Sequence, residues 1–345
     1  MTEKETRRHG DGGTRRKSGR LRVPVSPRPR VPASLHLRLT SSAAIVALTL
    51  TMLSLVTVGS GSLAQRRRAN RDGSHSSHLR DSLSPEARET VERAIDVVCT
   101  ERKKDPKGSV PIDDMQARPS LPVQNREAVV GAQRAQRLLP VARDLVISSL
   151  RQLAIEYNFP STSGYQARFQ RAIARVQAVR RVRPDADSRD NASVYLRNPH
   201  SITFGTIFLA GLPSDEGMIS VLAHELMHIA DGDEDSLKSL FRAVGNRASD
   251  LTGLQIHYQR AEELSCDLAG AMAARSYVSD QPSYEPRPRR IARSMEHNCV
   301  DEDEGDSDHL SPRNTIRALL LLDQSLSREL VYGRDEKMPT RSIQK

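Results

Sequence analysis

The sequence contains no tryptophan, and its aromatic content is seven Tyr and five Phe in 345 residues. A core must therefore be built mainly from Ala, Leu, Val and Ile. Cysteine is almost as scarce. Cys99, Cys266 and Cys299 form no CxxC pair and no metal-ligand spacing, which excludes a cysteine-held metal framework. Cys99 and Cys299 could pair in an oxidising compartment, or both could stand as free buried thiols. After Val58 there is no apolar run of membrane-span length, so a multi-span membrane protein is excluded. A basic excess is also missing from most of the chain. The formal net charge is +9, but residues 85–345 hold 36 Lys and Arg against 38 Asp and Glu. The positive charge belongs to the N-terminal segment, and nucleic acid is not an expected partner of the rest.

That segment has three parts. Residues 1–38 are Arg- and Pro-rich and read as a disordered basic leader. Residues 39–64 hold "AAIVALTLTMLSLVTV", Ala43 to Val58, with no charged residue from Leu39 to Gln65. Its length suits a signal-peptide h-region, with Ser62 and Ala64 giving a small-x-small pattern before Gln65, or a single uncleaved signal anchor. Either reading exports the rest of the chain, to a periplasmic or extracellular space, and limits membrane contact to this segment. An organelle presequence is a third reading of the Arg-rich leader. Residues 65–84 are a polar linker.

The folded part is expected over 85–345, mostly helical with a small sheet. Ser84-Pro85 is a helix start, followed by Val91, Ala94, Ile95 and Val98 at helical spacing. A Pro/Gly-rich loop is expected over about 105–124. A helix follows from Glu127 to Tyr157, broken or kinked at Pro140, and another from about Tyr165 to Val179. The β-branched stretches 192–198 and 201–211 predict strands. Ser214 then predicts an N-cap with acids in the first turn. The helix it opens should stop near Gly232. Further helices are expected at about 235–246, 258–277 and 312–331.

The helix opened by Ser214 carries "VLAHELMHIADGD", Val221 to Asp233. Positions i and i+4 of a helix point the same way, so His224 and His228 can share one metal ion. Glu225 lies beside such an ion without binding it, placed to take a proton from an attacking water. Two solvated histidines on a surface helix are the plain alternative. The helix is too apolar for that, and buried paired histidines need a partner. "RAEELSCDLAGAMAAR" supplies one. Glu263 is the third ligand, and Asp267, one turn on, can accept a hydrogen bond from a ligand histidine and orient it. Glu262 is a rival ligand that would leave Asp267 at the wrong spacing. A metzincin site is excluded, because Asp231 and Glu234 stand where its glycine and third ligand belong. The acids from Asp231 to Asp235 read as a solvated helix exit. Zn²⁺ is the natural ion for two imidazoles and a carboxylate.

These residues resemble the gluzincin metallopeptidases of the CAAX-prenyl-protease, HtpX-like and Oma-like group. "LPSDEGMISVLAHELMH" is similar to that family's acidic helix start leading into its HExxH. "EELSCDLAGAMAA" is similar to its ExxxDxxG stretch, with Glu263, Asp267 and Gly270 on the motif and Cys266 in place of its alanine. "SITFGTIFLAGL" resembles the strand and turn before the family's zinc helix, an edge with which substrates pair through the main chain. The resemblance covers about residues 190–330. It implies an α+β, mostly helical gluzincin-type domain with a small sheet edge beside the active-site helix. It further implies a zinc-dependent endopeptidase acting on polypeptide substrates, with His224, His228 and Glu263 as metal ligands and Glu225 as base. The family's late His-Pro and arginine are displaced here, which leaves His309 and Arg317 as weak candidates for the oxyanion donor, with His257 as another. A non-catalytic zinc-binding scaffold or chaperone-like protein on the same fold is the alternative. A basic-tail binder of nucleic acid or anionic lipid would need residues 1–84 to survive in the mature protein.

Overall fold

The computed structural model describes residues 83–159, 162–195, 199–232, 235–300, 305 and 307–333. The expected leader, the apolar segment 39–64 and nearly all of the polar linker lie outside the described residues. Among those described, no helix is long and apolar enough to cross a membrane.

Among the described residues the domain is mostly helical with one three-stranded sheet. Helix α1 (Pro85–Thr100) opens where Ser84 predicts it, and Ser84 Oγ accepts the Ala87 N–H at 3.1 Å. The short α2 (Ile112–Gln116) lies inside the expected loop. Helix α3 (Arg126–Glu156) runs as one helix through Pro140, so of the expected break or kink the break does not occur. Pro140 sits on the exposed face, where water can serve the backbone carbonyl that loses its helical donor. Helix α4 (Ser163–Ala178) follows.

The sheet has the order β1-β3-β2, with β1 (Arg181–Asp185) parallel and β2 (Ala192–Val194) antiparallel to the central β3 (Ser201–Gly205). Two sequence expectations change here. Residues Thr206–Gly211 form a helix, α5, and not the second half of a strand. A short buried apolar run has no polar face to reveal its period. The ladder ends because the Arg189 carbonyl takes the N–H groups of Ile207 and Phe208. Gly205 makes this turn feasible, since a Cβ there would stand 2.1 Å from the Arg189 carbonyl oxygen. The second change concerns the edge. The segment 201–205 is paired on both sides, so the strand edge beside the histidine helix belongs to β2.

Helix α6 (Asp215–Asp231) is the centre of the domain, packed by α3, α4 and α8 (Gln259–Asp280). It is buried nearly all round, as its apolar sequence requires. Ser214 Oγ accepts the Gly217 N–H at 3.0 Å, and the helix ends at Gly232, whose φ is 60°. Its first-turn acids favour the helix dipole. Asp215 pairs with Arg134 and Arg137 of α3, and the buried Glu216 with Arg290 at 2.6 Å. Beyond α6 come α7 (Lys238–Thr252), α8, α9 (Arg287–Ala292), α10 (Pro312–Leu322) and α11 (Gln324–Tyr332). The last two replace one expected helix. They part at Asp323, whose Oδ1 caps α11 by accepting the Leu326 N–H at 2.9 Å. Cys99, at the end of α1, is disulfide-bonded to Cys299, while Cys266 is a free, buried thiol.

Candidate metal centre

His224 and His228 are one turn apart on α6, and Glu263 faces them from α8. The Nε2 atoms of the two histidines are 3.2 Å apart. Glu263 Oε2 is 3.3 Å from His224 Nε2 and 3.5 Å from His228 Nε2. A tetrahedral ion with bonds of about 2.0–2.1 Å separates its ligand atoms by about 3.4 Å. The three edges of this triangle match that separation, so these side chains fit a zinc-sized ion.

Each histidine is held from behind by its other ring nitrogen. His224 Nδ1 lies 2.8 Å from Asp267 Oδ1, and His228 Nδ1 lies 2.9 Å from Glu262 Oε1. Sequence spacing placed Asp267 in this position. It treated Glu262 only as a rival ligand, whereas the structure gives it the same orienting contact on the second histidine. Successive helical residues project about 100° apart, which lets Glu263 reach the Nε2 pair while Glu262 reaches round to Nδ1. Carboxylates on Nδ1 fix the tautomer that presents Nε2. Asp267→Asn and Glu262→Gln are each expected to weaken metal binding about 10–100-fold. Competition with a chromogenic chelator measures this, and unchanged affinity in both variants would remove the orienting role.

The electrostatics favour a cation here. Burial disfavours a charged His224, yet Asp267 and Glu263 outweigh it and hold the imidazole well above its ordinary pKa. His228 is likewise held up against burial by its contacts with Cys266, Glu262 and Glu263. Glu263 is held below the usual carboxylate range, burial notwithstanding, by its bonds to both imidazoles. The acids thus retain positive charge on the imidazoles, a demand that a dication meets equally well.

Glu225 is buried, at 5% exposure, and lines the same cleft. Burial pushes its carboxyl above the usual range, with the two histidines opposing. The cleft measures about 580 Å³, and its wall includes Asp190, Asn191 and Ala192 at the head of β2. His309 is brought to the cleft, with Nε2 3.6 Å from Glu263 Oε2. Arg317 is not. It lies on α10 with Nε 3.0 Å from Glu92 of α1. His257 is exposed and also lies outside the cleft lining.

His297 is a cleft residue that spacing did not reveal. Its ring is buried against Phe208, its Nδ1 has no hydrogen-bond partner, and burial holds its pKa down to about 4. The segment before it is fixed by buried ion pairs. Asp105 accepts from Arg289 Nε at 2.8 Å and from Arg293 Nε at 2.7 Å. Burial would raise the Asp105 carboxyl, but these arginines hold it at about 2. Tertiary contacts of this kind leave no local pattern in the sequence.

The exit of α6 also differs from expectation. Asp231 is buried, not solvated, and its Oδ1 accepts the Leu237 N–H. Burial pushes its carboxyl up to about 6. Asp235 is exposed and pairs with Lys238 at 2.7 Å; Asp233 and Glu234 lie outside the described residues. Arg175 of α4 covers the end of α6 by donating to the carbonyls of Ile229, Ala230 and Asp231. A cation on the last carbonyls offsets the unfavourable acid there. A scan against protein-family models, a search of curated proteins and a search of solved structures each find no match.

Proposed function

We propose that the protein is a zinc-dependent metalloendopeptidase of gluzincin type that hydrolyses peptide bonds of protein substrates. The observation that carries this reading is the near-equilateral triangle of His224, His228 and Glu263, with Glu225 beside it in an open cleft. A bound Zn²⁺ would supply polarisation of the scissile carbonyl and acidification of the attacking water. The chain's own part is proton transfer and positioning. The Glu225 carboxylate accepts the proton of the attacking water and hands it to the departing amine nitrogen. Asp267 and Glu262 hold the imidazoles in register. The edge of β2 offers main-chain groups to an extended peptide, a mode that suits a cleft with Asn191 and Ala192 in its wall. The disulfide accords with export, since such bonds persist in oxidising compartments.

The test uses the purified chain. One zinc per molecule and cleavage of an unfolded protein such as casein are expected, with cleavage lost to a chelator and restored by added Zn²⁺. Stoichiometric zinc without cleavage favours the scaffold alternative, in which the same fold binds metal without turnover. Absence of bound zinc after metal loading removes both readings.

A further inference from the structure

The Cys99–Cys299 bond lies beside the surface and is not sealed in the core. Both cysteines, with Arg102, Lys103 and Arg313, line a hollow of about 250 Å³. Cys299 is buried, but Cys99 is only partly so, which makes Cys99 the open side of the bond. Among the described residues lining this hollow, Asp96 is the one acid. Arg102 carries the second clue. Its Nε and Nη1 are enclosed and have no hydrogen-bond partner. Enclosed guanidinium donors without acceptors are rare in a native structure and call for one. The hollow therefore combines three cationic side chains, Arg102, Lys103 and Arg313, with a disulfide.

We propose that this hollow is a docking and exchange site for a small anionic thiol. Its carboxylate or sulfonate would be taken by Arg102, Lys103 and Arg313, and its thiolate would meet Cys99. The thiolate attacks Cys99 Sγ and forms a mixed disulfide. The Cys99–Cys299 bond breaks, and its electron pair leaves on Cys299, which takes a proton from solvent. A second thiol molecule attacks the mixed disulfide at the bound thiol's sulfur, releasing Cys99 and the oxidised thiol dimer. Two thiols are oxidised and one protein disulfide is reduced. The surrounding cations stabilise the departing thiolates.

The exchange has a structural target. Asn298 lines both this hollow and the metal-centre cleft, and His297 beside it lines the cleft. Both belong to the 3-10 turn Glu296–Asn298, which the disulfide fastens to the end of α1. Opening the bond releases one wall of the cleft from that tether. The exchange itself does not depend on the peptidase reading, and its test uses no hydrolysis.

The experiment compares mercaptoethanesulfonate with the cationic thiol cysteamine on the folded full chain. Each rate is divided by that thiol's rate on an unstructured peptide disulfide, and intact-mass analysis follows the adduct. The anionic thiol is expected to be favoured on the order of tenfold at low ionic strength. The preference should fall toward unity near 1 M salt, where the Debye length is about 3 Å. It should also fall in Arg102→Gln, and in Lys103→Gln, an exposed position that spares the fold. A corrected ratio near unity in the unaltered chain overturns the proposal, as does a ratio indifferent to salt and to both variants.

Discussion

Glu225→Gln is expected to lower peptide hydrolysis by about 10²–10⁴-fold while leaving bound zinc and the melting temperature nearly unchanged. The substitution keeps the shape of a side chain that is buried in the central helix, so packing is preserved. It removes the proton-accepting oxygen and nothing from the ligand triangle, which consists of His224, His228 and Glu263. Rate on a quenched fluorescent peptide, zinc content and thermal unfolding should be measured on the same preparation. Full hydrolytic rate in the variant would end the proposed mechanism. Loss of zinc with the rate would instead make Glu225 a ligand.

The second large effect is expected at a residue that touches neither metal nor substrate. Gly270 of α8 faces Ser220 of α6 so closely that a Cβ there would stand 2.7 Å from the Ser220 carbonyl oxygen. Backbone is the obstacle, so no side chain can swing aside. Gly270→Val must push the two helices apart, at a cost of about 1–3 kcal/mol in overpacking. The candidate metal centre is divided between those helices, with His224 and His228 on one and Glu263 on the other. A displacement of about 1 Å can cost about 10²-fold in rate, and a loss of that order in hydrolysis is expected, together with weaker zinc binding. Gly164→Ala is the matched control, because nothing lies within 4 Å of a Cβ there. Normal activity and zinc affinity in Gly270→Val would show that the helix spacing does not set the site.

What was legible in the sequence was what a single helix can encode. The His224–His228 spacing, the Ser214 cap, the Gly232 stop and the four-residue step from Glu263 to Asp267 all depend on helical periodicity. The mostly helical character of the fold was legible for the same reason. The failures have a different origin. Strand β1 contains Pro184, which argues against a strand, yet it pairs at the edge of the sheet, where a missing N–H is tolerated. The run 206–211 is buried and has no polar face from which to read a period. Glu262, His297, Arg175 and the burial of Asp231 take their roles from residues 6 to 89 positions away, and no local spacing marks them. Asp231 illustrates this best. As a letter in an acidic run it reads as solvated; in the fold it holds the turn toward α7.

Cys99 and Cys299 are separated by 200 positions, and His224, Glu225, His228 and Glu263 all lie between them. The bond makes this part of the chain a closed covalent ring. One cut by a protease anywhere inside the ring opens the ring without dividing the molecule. The two pieces stay joined through sulfur and part only on reduction. A nicked population would therefore run as an intact species on a non-reducing gel and as two fragments on a reducing one.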